Sequence, residues 1–151
     1  MNDYDELVAR VNELEKRVVA LETTDDTPAD ALTDGVVGFS GDVTTPQGPV
    51  QYSWQRPASF LSENAWEPSF QRIAALSSPI RGQILRRLWE APASVAELVD
   101  EGVFSSTGKA YHHLNELLHA GWIEKDSHGK HRIPPARVVP LLAIVAAAED
   151  H

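Results

Sequence analysis

No cysteine occurs anywhere in the 151 residues. That absence excludes a disulfide framework, any thiolate metal site and a cysteine nucleophile, and it fits a reducing compartment. Long apolar runs are lacking too. The longest, residues 138–148, is interrupted by Pro140 and falls well short of the ~20 residues that span a bilayer. The first residues are acidic and amphipathic, so no signal peptide is expected. A soluble, cytoplasmic protein without a membrane partner is the expectation. The sequence holds no Gly-rich phosphate loop, no metal-ligand spacing and no nucleophile assembled with a base. An enzyme is therefore not expected, nor a cofactor. Asp126 beside His128 reads as a solvated turn rather than a catalytic dyad.

Basic charge is also scarce, and its distribution is informative. The net charge is −9. Up to residue 69 there are 13 acidic and 4 basic side chains, whereas residues 70–151 carry 9 of each and all six histidines. The acid thus resides in the N-terminal half. In the other half Lys109, Lys125, Lys130 and Arg132 cluster with His112, His113, His128 and His131. This modest basic patch suffices for phosphate contacts but does not by itself name DNA as the ligand. A chain of this length holds one ordinary core plus appendages.

What is present begins with a heptad pattern. Tyr4, Val11 and Val18 occupy a positions, and Leu7, Leu14 and Leu21 occupy d positions, over residues 1–22. Valine at a with leucine at d predicts a parallel two-stranded coiled coil. Arg10 and Arg17 at g would meet Glu15 and Glu22 at e across that interface, whereas an antiparallel pair would oppose like charges. The alternative is a lone amphipathic helix packed on its own domain. Three heptads are marginal alone, which calls for a second dimer contact. Residues 23–35 read as an acidic flexible linker. Residues 36–68 follow, with alternation on both sides of Pro46-Gln47-Gly48 that predicts a β-hairpin placing Val50, Tyr52 and Trp54 on one face. Such a hairpin must dock somewhere: on its own C-terminal domain, on its twin, or on a partner or ligand.

Residues 69–151 are read as one domain. Phe70, Ile73, Ala74 and Leu76 form a short amphipathic helix. Ser78-Pro79 caps the next, with Ile80, Ile84, Leu85 and Leu88 inward and Arg81, Arg86 and Arg87 outward. Ser94-Val95-Ala96-Glu97 is a capping box that opens a third. Ser106 then caps a helix whose apolar face is Ala110, Leu114, Leu117 and Leu118, stopped at Gly121. Its exposed N-terminal half offers Thr107, Lys109, Tyr111 and His112. Residues 122–125 and 130–133, around a 126–129 turn, form a short hairpin closed by Pro134-Pro135. Residues 139–148 form an apolar helix, expected to be buried against another subunit. A helix that ends in glycine and feeds a short basic hairpin is the way a winged helix-turn-helix presents its reading head. The fold class expected is mainly α (α+β): a winged helix-turn-helix domain with a C-terminal dimerisation helix, preceded by a coiled-coil helix and a small β-hairpin.

The runs Ala75-Leu76-Ser77-Ser78-Pro79-Ile80-Arg81, Ser94-Val95-Ala96-Glu97-Leu98 and Tyr111-His112-His113-Leu114 with Ala120-Gly121-Trp122-Ile123 resemble the ArsR-type winged helix-turn-helix regulators over about residues 70–135. The resemblance implies a homodimeric transcription regulator, commonly a repressor that a small-molecule or metal effector releases. It maps Thr107, Gly108, Tyr111 and His112 onto groove-facing positions, and Lys130 and Arg132 onto the wing. With Ser106 and Lys109 these make the expected DNA-binding set. Leu7, Val11, Leu14, Val18, Leu21, Leu141, Leu142 and Val145 make the expected dimerisation set. The chain departs from the family by lacking its metal-sensing cysteines, by an aliphatic last helix, and by its N-terminal additions, so no metal is expected.

Each residue also has a plainer reading. Lys109 touches a phosphate or guanine edge, or is a solvated lysine. His112 contacts DNA, while His113 is half-buried beside Ala110 and Leu117. Tyr111 stacks on a sugar or thymine methyl, or covers Trp122. Trp89, Trp122 and Leu88 are expected in the core, with Trp54 and Trp66 filling a docking surface. The leading function is a homodimeric sequence-specific regulator reading an inverted repeat in double-stranded DNA. The alternative is a winged-helix protein-interaction module without sequence-specific DNA binding.

Overall fold

The computed structural model describes residues 3–23 and 34–151. The side chain of Leu21 and most of the expected linker lie outside the described residues. Among those described, the chain is a mixed α/β fold of seven helices and two antiparallel hairpins. Helix α1 (Asp3–Thr23) is followed by β1 (Val36–Thr45) and β2 (Gly48–Pro57). Then come α2 (Ala58–Glu63), α3 (Glu67–Ala74), α4 (Pro79–Glu90), α5 (Val95–Asp100) and α6 (Thr107–His119). A short hairpin of β3 (Glu124–Lys125) and β4 (His131–Arg132) leads into α7 (Pro135–Ala147). No helix among the described residues is long and apolar enough to cross a membrane.

The core forms where the apolar faces of α4, α5, α6 and α7 converge. Ile84, Leu88, Leu98, Leu114 and Leu117 are its largest fully buried side chains. Trp122 and Ile123 are buried with them rather than continuing the strand outward. The indole N–H of Trp122 donates to the Arg72 carbonyl at 2.8 Å, and the Arg137 guanidinium lies 5.2 Å over its ring. A third segment joins the small hairpin: Ala93 pairs with His131 through hydrogen bonds of 2.8 and 3.0 Å. Trp89 is only half-buried and Ile80 is exposed, contrary to their expected inward placement, and Phe70 and Ile73 of the short amphipathic helix are exposed too. Helical spacing shows which residues share a face, but not what meets that face.

The N-terminal hairpin extends further than its alternation suggested. Its ten-residue strands join through Pro46-Gln47, and β2 runs on to Pro57, directly into α2 in the segment read as a connection. The face carrying Phe39, Gly41 and Val43 beside Val50, Tyr52 and Trp54 is half-buried. Phe39 stacks between Tyr52 and Trp54 at 5.8 and 5.4 Å. Trp66, by contrast, is exposed, stacks on Phe70 and donates its indole N–H to the Leu61 carbonyl at 2.7 Å.

This hairpin docks on α7 of its own chain. A Cβ at Gly41 would lie 2.9 Å from both γ-methyls of Val139, so the glycine is what lets strand and helix touch. Helix α7 starts at Pro135, four residues earlier than expected, because proline presets the first helical φ. Pro140 sits inside it. The N–H it lacks would have reached the Ala136 carbonyl, and Ala136 is exposed, so water can serve that carbonyl instead. Hairpin and core together bury Val138, Val139, Pro140 and Leu141. Leu141 is therefore taken up by its own core rather than facing a second subunit. Leu142 and Val145 remain exposed.

The two glycines Gly41 and Gly82 should respond oppositely to alanine. Val139 is β-branched and holds one helical rotamer, so it cannot turn away from a new methyl at position 41. Gly41→Ala is expected to cost about 1–3 kcal/mol as overpacking. Gly82 lies mid-helix in α4 with nothing within 4 Å of its missing Cβ. Gly82→Ala should stabilise by about 0.5–1 kcal/mol. Urea midpoints of the two variants check both signs.

Candidate nucleic-acid interface

Helix α6 has one face rooted in the core and the other open. Ala110, Leu114 and Leu117 are completely buried. The Ser106 hydroxyl accepts from the Lys109 N–H at 3.4 Å and caps the helix start. At the far end Gly121 adopts φ +78°, the left-handed conformation that stops the helix and turns the chain toward Trp122. Ser106, Thr107, Gly108, Lys109, Tyr111 and His112 are all exposed. The first turn contains no acidic residue, so the positive end of the helix dipole is not offset there. Lys109 has no carboxylate partner among the described residues. Tyr111 is 49 % exposed; the ring of Trp122 is covered by Arg137 instead.

The helix before α6 is held by the expected capping box. Ser94 Oγ accepts from the Glu97 N–H at 3.1 Å, and Glu97 Oε2 accepts from the Ser94 N–H at 2.8 Å. The other oxygen of Glu97 accepts from Lys130 Nζ at 2.9 Å, tying α5 to the small hairpin. Hydrogen bonding from Lys130 and from the Ser94 backbone holds the Glu97 carboxyl below its ordinary value. Arg132 is likewise paired with Glu124, 2.7 Å away on the facing strand. Both cations assigned to the wing are thus committed within the chain. Sequence reading missed this because Glu97 and Lys130 stand 33 residues apart.

Asp126 organises the hairpin turn. One of its oxygens accepts from the backbone N–H of His128 at 2.8 Å and of Lys130 at 2.9 Å. Those donors, Lys130 first, hold its pKa below the usual carboxylate range. Its lone pairs shape a turn, which agrees with the reading of this segment as a loop.

The histidines divide into two sets. His112 and His128 are exposed, but His113 is half-buried and His131 is 2 % exposed. His113 stacks on Phe104 and accepts from Arg81 Nε at 3.4 Å. Arg81, expected to point outward, also donates to the Ala75 carbonyl at 2.9 Å and closes the end of α3. Ser78 makes no side-chain cap at the start of α4, where proline at the first position does that work alone. The basic patch is therefore narrower than a residue count suggests: Lys109, His112, Lys125 and His128 are its exposed members that make no ion pair among the described residues. No group of three or more potential metal ligands is assembled among the described residues.

His131 carries a pH consequence. Its Nδ1 is buried with no hydrogen-bond partner among the described residues. Burial, and then the charge of Lys125, lower its pKa from 6.5, although the Ala93 hydrogen bond and Asp126 oppose this. Burial and Arg81 lower His113 as well. The unfolded chain then binds protons that the folded chain refuses. Stability is present in full above the unfolded pKa near 6.5 and is lost as pH falls below it. His131→Leu should flatten the decline in urea midpoint between pH 7.5 and 5; an unchanged decline would put the proton uptake elsewhere.

No protein-family model matches the sequence, and no curated protein is detectably similar to it.

Proposed function

We propose that the chain is a homodimeric, sequence-specific DNA-binding transcriptional regulator whose residues 69–151 form a winged helix-turn-helix domain with its C-terminal helix. The observation that carries this reading is the outer face of α6. Its N-terminal half presents Thr107, Gly108, Lys109, Tyr111 and His112 without an acidic neighbour in the first turn, on a helix rooted by three completely buried side chains. Such a helix enters a major groove with its N-terminal residues against base edges and phosphates. The helix dipole favours a phosphate at the same end.

The wing has a lesser part. Lys130 and Arg132 reach phosphates only by exchanging Glu97 and Glu124, so each contributes less than Lys109. Dimerisation in this reading uses the exposed stripe Leu7, Val11, Leu14 and Val18 of α1 together with Leu142 and Val145 of α7. Two copies would place their α6 helices in successive major grooves, so the operator is an inverted repeat.

The test is selection of bound fragments from the source genome by purified protein at two salt concentrations. Enrichment of an inverted repeat, weakening steeply with salt, supports the regulator. A second reading rests on the ion-paired wing cations and the net charge of −9. In it the same domain binds a protein and not DNA. Absence of any retention on DNA at ~50 mM salt, where even non-specific binding is strong, would favour that reading.

A further inference from the structure

The ten-residue strands of the β1–β2 hairpin form a two-stranded sheet, so each has one free edge. The two edges differ chemically. The Ala58 N–H donates to the Gly35 carbonyl, which sets the phase of the ladder. The pairs 36↔57, 38↔55, 40↔53, 42↔51 and 44↔49 then have their N–H and C=O groups pointing away from the partner strand. On β2 two of those outward positions are Pro49 and Pro57, which lack the N–H, so that edge is blunted. On β1 they are Val36, Gly38, Ser40, Asp42 and Thr44, with no proline, no cation and one carboxylate. No backbone hydrogen bond to these outward groups exists among the described residues.

We infer that the free edge of β1 pairs antiparallel with β1 of a second copy, making a four-stranded sheet across the dimer axis. The deduction rests on the homodimer proposed above and adds a contact to it. Edge length and charge together select the register: only a two-fold at Ser40 pairs all five outward positions with one another. Centring on position 42 would oppose two aspartates, and centring on 38 would oppose Asp42 to the partner's Asp34. Centring on Ser40 sets Asp42 against the partner's Gly38 and pairs Val36 with the partner's Thr44. That arrangement is self-complementary, as a two-fold interface requires. Chain length permits it alongside a parallel α1 pair. The two Val36 positions would stand about 27 Å apart, and residues 24–33 on each chain can reach roughly 35 Å.

The absence of cysteine makes the test clean. In the full chain, Ser40→Cys should form an intermolecular disulfide on mild oxidation, since directly opposed Cα atoms lie about 5.5 Å apart. Ser53→Cys, the cross-strand neighbour on the blunted edge, is the control and should link roughly hundredfold more slowly, as random collision. Val11→Cys reports α1 pairing independently. Linking at 40 but not 53 supports the sheet, whatever position 11 does. Linking at 11 without 40 overturns the sheet while the dimer stands. Linking at neither, with a monomer in sedimentation, overturns both. Equal rates at 40 and 53 overturn the sheet as non-specific. As a second readout, Ser40→Lys should weaken association and mixing it with Ser40→Glu should restore it; no change in either would count against the pairing.

Discussion

Lys109→Glu combined with His112→Ala is expected to weaken binding to the selected operator by at least about a hundredfold, since each specific base or phosphate contact is worth about 1–3 kcal/mol. Glutamate at position 109 also places a like charge against phosphate, at the very helix end where the dipole otherwise attracts an anion. Both side chains are exposed, and neither is hydrogen-bonded through its polar end among the described residues. The thermal midpoint should therefore stay within about a degree of the parent, because surface changes of this kind fall within ~0.5 kcal/mol. Fluorescence anisotropy with the operator and with an unrelated duplex separates the two contributions. Loss on the operator alone assigns these residues to base reading. Equal loss on both duplexes assigns them to phosphates. Unchanged affinity removes α6 from the interface and favours the protein-binding reading.

The other large effect lies beneath that helix. Leu114 is completely buried between α6 and the core, and Leu114→Ala leaves a cavity beneath the helix. A loss of about 2–5 kcal/mol is expected, by the removed apolar transfer plus the residual cavity. Urea denaturation measures it, and Leu142→Ala, at a 37 % exposed position of α7, supplies the contrast. In dilute solution that control should cost much less. A small loss for Leu114→Ala would mean that α6 is not rooted as the structure places it, and the rigid presentation of Lys109 and His112 would go with it.

Much of the candidate interface was legible in the residues because its determinants are local. Ser106 as a cap, the spacing of Ala110, Leu114 and Leu117, and Gly121 as a stop all act within one or two helical turns, and each is found where the pattern puts it. The capping box at Ser94 and Glu97 is of the same kind. Elements whose state depends on partners distant in sequence were read less well. Strands β3 and β4 are shorter than expected because Trp122 and Ile123 are drawn into the core, and periodicity cannot show that competition. Ile80, Phe70 and Ile73 obey a helical pattern yet stay exposed, since a pattern specifies a face and not what meets it.

The sequence by itself determined the helices of the C-terminal half, the hairpin between Val36 and Trp54, the heptad stripe of α1 and the concentration of acid before residue 70. These follow from backbone propensity, capping and side-chain period, all of them short-range. Only the tertiary structure decided that the hairpin docks on α7 through Gly41 and Val139, that Leu141 belongs to its own core, and that Lys130 and Arg132 are bound to Glu97 and Glu124. Each of these joins residues brought together by chain folding, where close packing and charge pairing act over distances in space that sequence separation does not encode.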